Sequence, residues 1–523
     1  MIGPEAFWPR DESIDLDSRP IGAVVHDRAT RAPDAIAARW CSNGDLLTLT
    51  YAALADQADA FARRLRAAVR PGRSVAVCAA TSIDWLLLEY GAALSGIPLV
   101  PVNPAFTDAE IEHVVTTADA SVLFADEEFR GAALRERLEA LAPRAGVDAV
   151  RLLRDWRALV PAGDALPDVE PTDPFLIQFT SGTTGRPKGA VLSHRAAFNC
   201  ARLSMMRLGG TDEDRWLNVL PMHHVGGSVS VVLAVLSVGA SVTLLPAFEP
   251  GAVLELMART QATILGGVPT MQLALLEHES FARADLSALR IVQSGGTTVP
   301  PSLIRRVEQA FGAAVVVAYG QSESPNAIQT QITDDEFTKA QTIGTPLPHR
   351  DVRIADAGGQ TMKIDEIGEL LMRSPMVMDR YLAVDAAAAL GTLDAQGWLH
   401  TGDLCSMDER GVVTIHGRVR DVIIRGGENI YPAEVEEVML RHSAIADVAV
   451  VGVADDRWGE VPVACYRPGA GAAPAPADLE RHARASLAPF KVPRRWVRCD
   501  AFPLTASGKV KKFELRAQLE RPR

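Results

Sequence analysis

Cysteine is scarce in this chain. Of 523 residues only six are cysteine, and no two form a CxxC pair or a metal-ligand spacing. Cys41, Cys78, Cys200, Cys405, Cys465 and Cys499 are scattered, which argues against a zinc module and is expected of reduced, mostly buried thiols in a cytoplasm. Basic charge is also short. The formal net charge is -12, which speaks against a general nucleic-acid binder with a basic face. The first residues, MIGPEAFWPRDESIDLDS, are acidic and lack an apolar core, so no secretory leader is expected there. No GxSxG elbow occurs, so no catalytic triad is assigned. One stretch, Val225 to Leu245, has no charged residue and nearly the length to span a bilayer. It contains Gly226, Gly227, Gly239 and four serines and has no Lys/Arg anchors at its ends. A buried helix, a turn at Gly239 and a buried strand ending at Pro246 account for it, and no membrane span is expected.

What is present is ordinary globular material in large amount. Hydrophobic residues make up 48% and charged residues 23%, enough to bury two or three cores at this length. Helical and strand signals alternate from the start. Thr50 to Ala68 has helical periodicity, with Tyr51, Leu54, Phe61 and Leu65 on one face. Ser74 to Ala80 reads as an apolar strand, Ser82 to Leu94 as a helix and Pro98 to Val102 as a strand. Ile111 to Ala118 and Ser121 to Phe124 repeat the sequence, and the pattern resumes from Phe175 to about Tyr319. Such alternation predicts βαβ units and buried parallel sheets. After Asp351 short alternating segments bounded by Gly358-Gly359, Gly368, Gly397 and Gly411 predict antiparallel strands. A compact α+β segment follows from near Asp421, with a helix over about Ala433 to Arg441 and a strand over Asp447 to Val453.

The strongest chemical signal follows the apolar strand Phe175 to Phe179. The run Thr180, Ser181, Gly182, Thr183, Thr184, Gly185, Arg186, Pro187, Lys188, Gly189 combines backbone freedom, hydroxyl donors and two cations. Glycines let the chain approach an anion, and successive N–H groups cradle phosphate oxygens. A Walker A loop does not fit, because the GxxxxGK[ST] spacing is missing and Gly189 stands where a Ser or Thr would hold Mg²⁺.

This loop resembles the signature of the adenylate-forming superfamily, which includes acyl-CoA synthetases, peptide-synthetase adenylation domains and firefly luciferases; among these the chain is most similar to bacterial acyl-CoA ligases. Further motifs follow in the family's order over the whole chain. Pro221-Met-His-His-Val225-Gly226-Gly227 resembles the acyl-pocket segment, with His224 between acyl pocket and thiol tunnel and the glycines leaving room for the acyl group. Ser294-Gly295-Gly296-Thr297 resembles the adenine-binding turn. In Tyr319-Gly320-Gln321-Ser322-Glu323 the resemblance implies a Tyr on adenine, a hydroxyl at the α-phosphate and a Glu helping to hold Mg²⁺, together with Thr184 of the loop. Ser322 stands where Thr is commoner. Trp398-Leu-His-Thr401-Gly402-Asp403 resembles the ribose motif, and Arg418 a second ribose or phosphate contact. Arg420 falls at the hinge position, where Asp or Lys is commoner. Gly426 and Gly427 resemble the turn lining the pantetheine tunnel, and Trp458 falls where relatives hold the CoA nucleotide. Lys509, in Pro503-Leu-Thr-Ala-Ser-Gly-Lys509, resembles the adenylation lysine.

The resemblance implies an α/β architecture. A large N-terminal domain of stacked βαβ sheets with a small β-barrel-like subdomain spans 1–419, and a small mobile α+β domain spans 420–523. It implies two half-reactions. A carboxylate attacks the α-phosphorus of ATP to give acyl-AMP and pyrophosphate, with Lys509, Glu323 and His224 as catalytic candidates. A thiol, expected to be coenzyme A, then takes the acyl group. The Asp that binds an amine in amino-acid-activating relatives is missing between Pro221 and Ser230, so a fatty, aryl or bulky alicyclic acid is expected. Gly226, Gly227, Gly266, Gly267, Gly295 and Gly296 point to a roomy cavity. The alternative acceptor is a carrier protein or partner transferase. A cytoplasmic monomer or homodimer is expected.

Overall fold

In the computed structural model, residues 3–161, 163, 165–180, 187–296, 299, 301–382, 392–469, 473–504 and 510–520 are described. The alternation seen in the sequence becomes alternating strands and helices, with ends set by identifiable caps. The helix Tyr51–Ala68 starts after Thr50, whose side chain accepts from Ala53 N–H. Its buried face is Tyr51, Leu54, Ala55, Ala58, Phe61, Ala62 and Leu65, the spacing of one helical stripe. The helix Ile83–Ser95 is capped by Ser82 and stopped by Gly96 at φ 65°. From Trp85 onward it is buried on every face, so it reads in sequence as a nearly continuous apolar run.

The chain forms two compact units. The larger comprises Trp8–Val352 and Met372–Leu399. It contains a seven-stranded sheet in the order Arg380–Leu382, Lys188–Ser193, Pro174–Thr180, Leu99–Pro101, Ser74–Cys78, Ala120–Ala125, Ala149–Leu152. The last five of these run parallel, and the first two are antiparallel additions at one edge. A nine-stranded sheet is likewise parallel in its middle, through Ala314–Gln321, Ile291–Gly295, Ile264–Gly267, Arg215–Asn218, Ser241–Leu244 and Ile36–Ser42. Antiparallel strands close both of its ends. Parallel strands joined by helices bury both faces, which is why Val75, Ala76, Val77, Ile264, Val292 and Val316 are essentially inaccessible.

The uncharged stretch after Val225 folds as its glycines and serines suggest. A π-helical turn, Ser228–Leu233, runs into the helix Ala234–Val238, Gly239 takes φ 81°, and the strand Ser241–Leu244 follows. Among the described residues no helix is long and apolar enough to cross a membrane.

The second unit comprises Met1–Phe7, Arg353–Leu371 and His400–Arg523, and Arg420 lies inside it. The barrel-like element expected after Asp351 is an open five-stranded sheet, ordered Phe7–Trp8, Asp351–Ala355, Gly368–Arg373, Leu399–Met407, Val413–Arg418. The C-terminal α+β segment has a sheet dominated by the long hairpin of Ile445–Asp455 with Gly459–Pro468. The helix Pro432–Leu440 packs on its core through Val435, Val438 and Met439.

Candidate functional site

The hydroxyl-rich turn sits at the end of a hairpin. Pro174–Thr180 pairs antiparallel with Lys188–Ser193, and the last pair in register is Thr180 with Lys188. Thr180 Oγ1 lies 3.5 Å from the Lys188 carbonyl, closing the neck. The neck therefore holds a hydroxyl and an ammonium on either side of the turn. Ser181, Gly182, Thr183 and Thr184 fall outside the described residues. Gly189 is required by packing, since a Cβ there would lie 2.9 Å from the Phe179 ring.

Beside this hairpin, Gln178 Nε2 donates to His223 O at 3.2 Å. His223 is half-buried, and loss of solvation, helped by His224 and Arg130, pulls its pKa down to about 4. His223 is therefore neutral at physiological pH. His224 is the exposed member of the pair. Its Nδ1 accepts from Gly226 N–H at 3.1 Å, and its carbonyl accepts from the N–H groups of Gly227 and Ser228. With Nδ1 as the acceptor, the neutral imidazole carries its proton on Nε2. The π-helical turn that follows is of a kind frequent at functional sites.

The glycines of this region have different reasons. A Cβ on Gly227 would lie 2.4 Å from Pro221 O, and one on Gly295 would lie 2.3 Å from Ala318 O. One on Gly320 would lie 2.4 Å from Asn326 N. At these positions the missing side chain is used by neighbouring backbone rather than left as open space. At Gly267 and Gly296 a Cβ would meet its nearest neighbours only in ordinary contact, at 3.8 Å and 3.6 Å. Gly296 also takes φ 76° as it ends the strand Ile291–Gly295. Val225 is buried and Gly226 partly so. Thr297 falls outside the described residues.

The strand Ala314–Gln321 carries Tyr319, Gly320 and Gln321 to the neighbouring end of the nine-stranded sheet, where Ser322 and Glu323 make the turn into Ser324–Gln329. Glu323 is 6% exposed, rare for a carboxylate and a sign of specific partners. One partner was not legible in the sequence: the Tyr381 hydroxyl donates to Glu323 Oε1. The Lys188 ammonium lies 5.3 Å above the centre of the same Tyr381 ring. No motif flags Tyr381; the pairing of Ala190 with Tyr381 at the sheet edge helps bring it there.

In the second unit, Asp403 lies in a turn built by local bonds. Thr401 Oγ1 donates to Leu370 O and accepts from Asp403 N–H, while Glu369 accepts from Gly402 N–H and His400 Nδ1. Arg418 Nε lies 3.3 Å from Asp403 Oδ1 across the strand pair that joins them. Arg420 sits in the short 3-10 turn Val419–Asp421, 3.5 Å from Asp421 Oδ1, and burial with Arg418 lowers its pKa. Gly426 and Gly427 take φ 59° and 90°. Trp458 backs Gly426, to whose N–H its carbonyl bonds at 2.7 Å. The guanidinium groups of Arg425 and Arg457 lie 5.3 and 5.0 Å from the Trp458 ring. Lys509 falls outside the described residues.

Chemically the larger unit offers hydroxyl and ammonium donors at a turn and a held carboxylate at the adjoining strand end. That donor set suits a polyphosphate with a hard cation, because Mg²⁺ takes one or two carboxylates and completes its shell from phosphates and water. Among the described residues no cluster of three or more His, Cys, Asp or Glu could hold a metal by itself.

Comparison with known proteins gives concordant results. A profile described as "AMP-binding enzyme" matches residues 25–382, and one described as "AMP-binding enzyme C-terminal domain" matches residues 434–509. The chain is 36% identical over 511 residues to feruloyl-CoA synthase of Amycolatopsis sp, covering 96% of this chain and 99% of that protein. It is 34% identical over 561 residues to the mitochondrial medium-chain acyl-CoA ligase ACSF2 of Rattus norvegicus, covering 99% and 90%. Among solved structures, ATP-bound MatB from Rhodopseudomonas palustris superposes with a TM-score of 0.87 at 28% identity, covering 96% of this chain and 99% of that one.

Proposed function

The chain belongs to the AMP-binding enzyme family as an ATP-using, AMP-forming acid–thiol ligase of acyl-CoA synthetase type, and from that premise we propose what it activates and with which residues. The acid lacks an α-amino group and is fatty, aryl or bulky alicyclic. No Asp stands between Pro221 and Ser230 to pair with an amine. Two relatives of similar identity are named for a feruloyl and for a medium-chain acyl thioester, so the proposed class spans both. The acceptor is coenzyme A.

The observation that carries the site assignment is the linkage of Lys188, Tyr381 and Glu323 at the mouth of the hairpin. Thr180, Lys188 and the intervening Ser181, Gly182, Thr183 and Thr184 hold the phosphates. Glu323, with Thr184, would hold Mg²⁺, which when bound supplies positive charge beside the phosphate oxygens. Tyr319, Gly320, Gln321, Ser322, Gly295, Gly296 and Thr297 hold the adenosine and α-phosphate. Asp403 accepts the ribose hydroxyls, a task suited to a carboxylate, and Arg418 orients it. Lys509 brings an ammonium to the α-phosphorus, where charge accumulates as the acid's carboxylate attacks. No protein nucleophile is used, so rate comes from positioning and electrostatics. His224, Val225, Gly226 and Gly227 line the acyl path. The segment 420–523, turning at Arg420, then presents Gly426, Gly427 and Trp458 to the thiol. The working form is a cytoplasmic monomer or homodimer.

The test is a pyrophosphate-exchange screen over carboxylic acids, followed by CoA as acceptor for the best acid. Lys509→Ala should reduce exchange at least about a hundredfold. Full exchange in that variant, or parent protein with no affinity for ATP or AMP, would sink the assignment. Exchange without CoA turnover would move the acceptor to a carrier protein or partner transferase.

A further inference from the structure

We infer that Tyr381 is a positioning residue that locks the phosphate-binding hairpin to the metal-holding carboxylate, so that Lys188 and Glu323 act on the nucleotide as one unit. The inference rests on the reading of Lys188 and Glu323 given above.

The segment Met378 to Leu382 is bonded to both sheets of the larger unit. On one side, Asp379 N–H donates to Val191 O, and Arg380, Tyr381 and Leu382 pair with Val191, Ala190 and Gly189. These are the residues that leave the hydroxyl-rich turn. On the other side, Met378 N–H donates to Glu323 O at 2.7 Å, and the Tyr381 hydroxyl donates to Glu323 Oε1. Glu323 therefore has its backbone and its carboxylate held by residues three apart on one strap. The Lys188 ammonium over the ring adds a cation–π contact to the same side chain. A donor to one carboxylate oxygen fixes the rotamer and leaves the other oxygen facing a set direction, which is what a single-carboxylate Mg²⁺ site requires. A tyrosine that merely filled space would need neither the hydroxyl contact nor the cation.

The experiment uses the full-length protein and two variants, Tyr381→Phe and Tyr381→Leu. Calorimetric titration measures ATP affinity as a function of free Mg²⁺, and AMP affinity without metal. With Tyr381→Phe the Mg²⁺ concentration for half-maximal ATP binding should rise about tenfold, the effect of losing one charge-assisted hydrogen bond. Metal-free AMP affinity should stay within about twofold, and the melting temperature should be unchanged. Tyr381→Leu should show the same Mg²⁺ effect and also weaken ATP at saturating Mg²⁺, because Lys188 loses its platform. An unchanged Mg²⁺ requirement in Tyr381→Phe, or a parallel loss of metal-free AMP affinity, overturns the inference while leaving the ligase reading intact. Parent protein that binds no ATP at any Mg²⁺ concentration overturns both.

Discussion

The turn at Gly295-Gly296 and the turn at Gly426-Gly427 look alike in sequence, two glycines closing a short strand, yet they are glycine for different reasons. At Gly295 a side chain would strike the Ala318 carbonyl of the next strand, 2.3 Å away. That oxygen is fixed by a continuous parallel ladder and cannot move alone. At Gly426 the obstacle is the edge of the Trp458 ring at 2.9 Å, and at Gly427 nothing lies within 4 Å. There the requirement is conformational, since both residues have positive φ. The larger unit therefore enters its turn by close packing of backbone on backbone, and only Gly296, at φ 76°, is held to glycine by conformation. The second unit builds its own by local chain geometry, which tolerates change better.

That contrast can be broken by substitution, beginning with the most severe. Gly295→Ala should cost upward of about 3 kcal/mol or prevent folding of the larger unit, because overpacking falls on backbone; a urea melt matching the parent would refute the packing account. Next is a buried carboxyl group of the same unit. Glu89 is fully buried and neither carboxylate oxygen has a partner, so burial pushes its pKa up to about 8. A raised pKa in the folded state means stability is complete below the unfolded value and is lost as pH climbs towards the folded one. Stability should thus decline from about pH 4.5 to pH 8. Glu89→Gln should flatten that slope and gain about 4 kcal/mol at pH 8 relative to pH 4.5; an unchanged slope in urea titrations would count against it.

Smaller effects are expected in the second unit. Gly426→Ala should cost about 2 kcal/mol and Gly427→Ala about 1 kcal/mol, the strain of a side chain at positive φ. Equal losses would mean Trp458 contributes nothing to the difference. Smallest of all, Lys512→Ala removes the 2.6 Å ion pair with Glu436 and should cost under about 1 kcal/mol, shrinking further in high salt, as partly exposed pairs do.

Much of this was legible in the chain. The strand Phe175 to Phe179 and the helix predicted over Thr50 to Ala68 appear with their ends shifted by at most one residue, at Pro174–Thr180 and Tyr51–Ala68. Apolar periodicity and a capping threonine are local signals, and they suffice for elements of this kind. The turns at Gly295 and Tyr319-Gly320 were also visible as motifs. The meaning of their glycines was not, because a carbonyl supplied by Ala318 or an amide supplied by Asn326 is a neighbour only after the strands pair. Tyr381 was invisible for the same reason. Its role depends on an edge strand that joins the sheet out of sequence order, and nothing in Arg380-Tyr-Leu382 announces that. The open five-stranded sheet was read as barrel-like because alternation alone does not say whether the first and last strands meet.

The widened turn Ser228–Leu233 carries a consequence for how this protein can change. A π turn accommodates one more residue than an α turn while keeping its ends in place. Removing one residue there would close the wide turn into an ordinary α turn and leave the flanking segments, His224 and Val225 on one side and Ala234–Val238 on the other, on their present bearings. Length variation at this point is therefore absorbed locally, and a chain one residue shorter keeps the same sheet on either side.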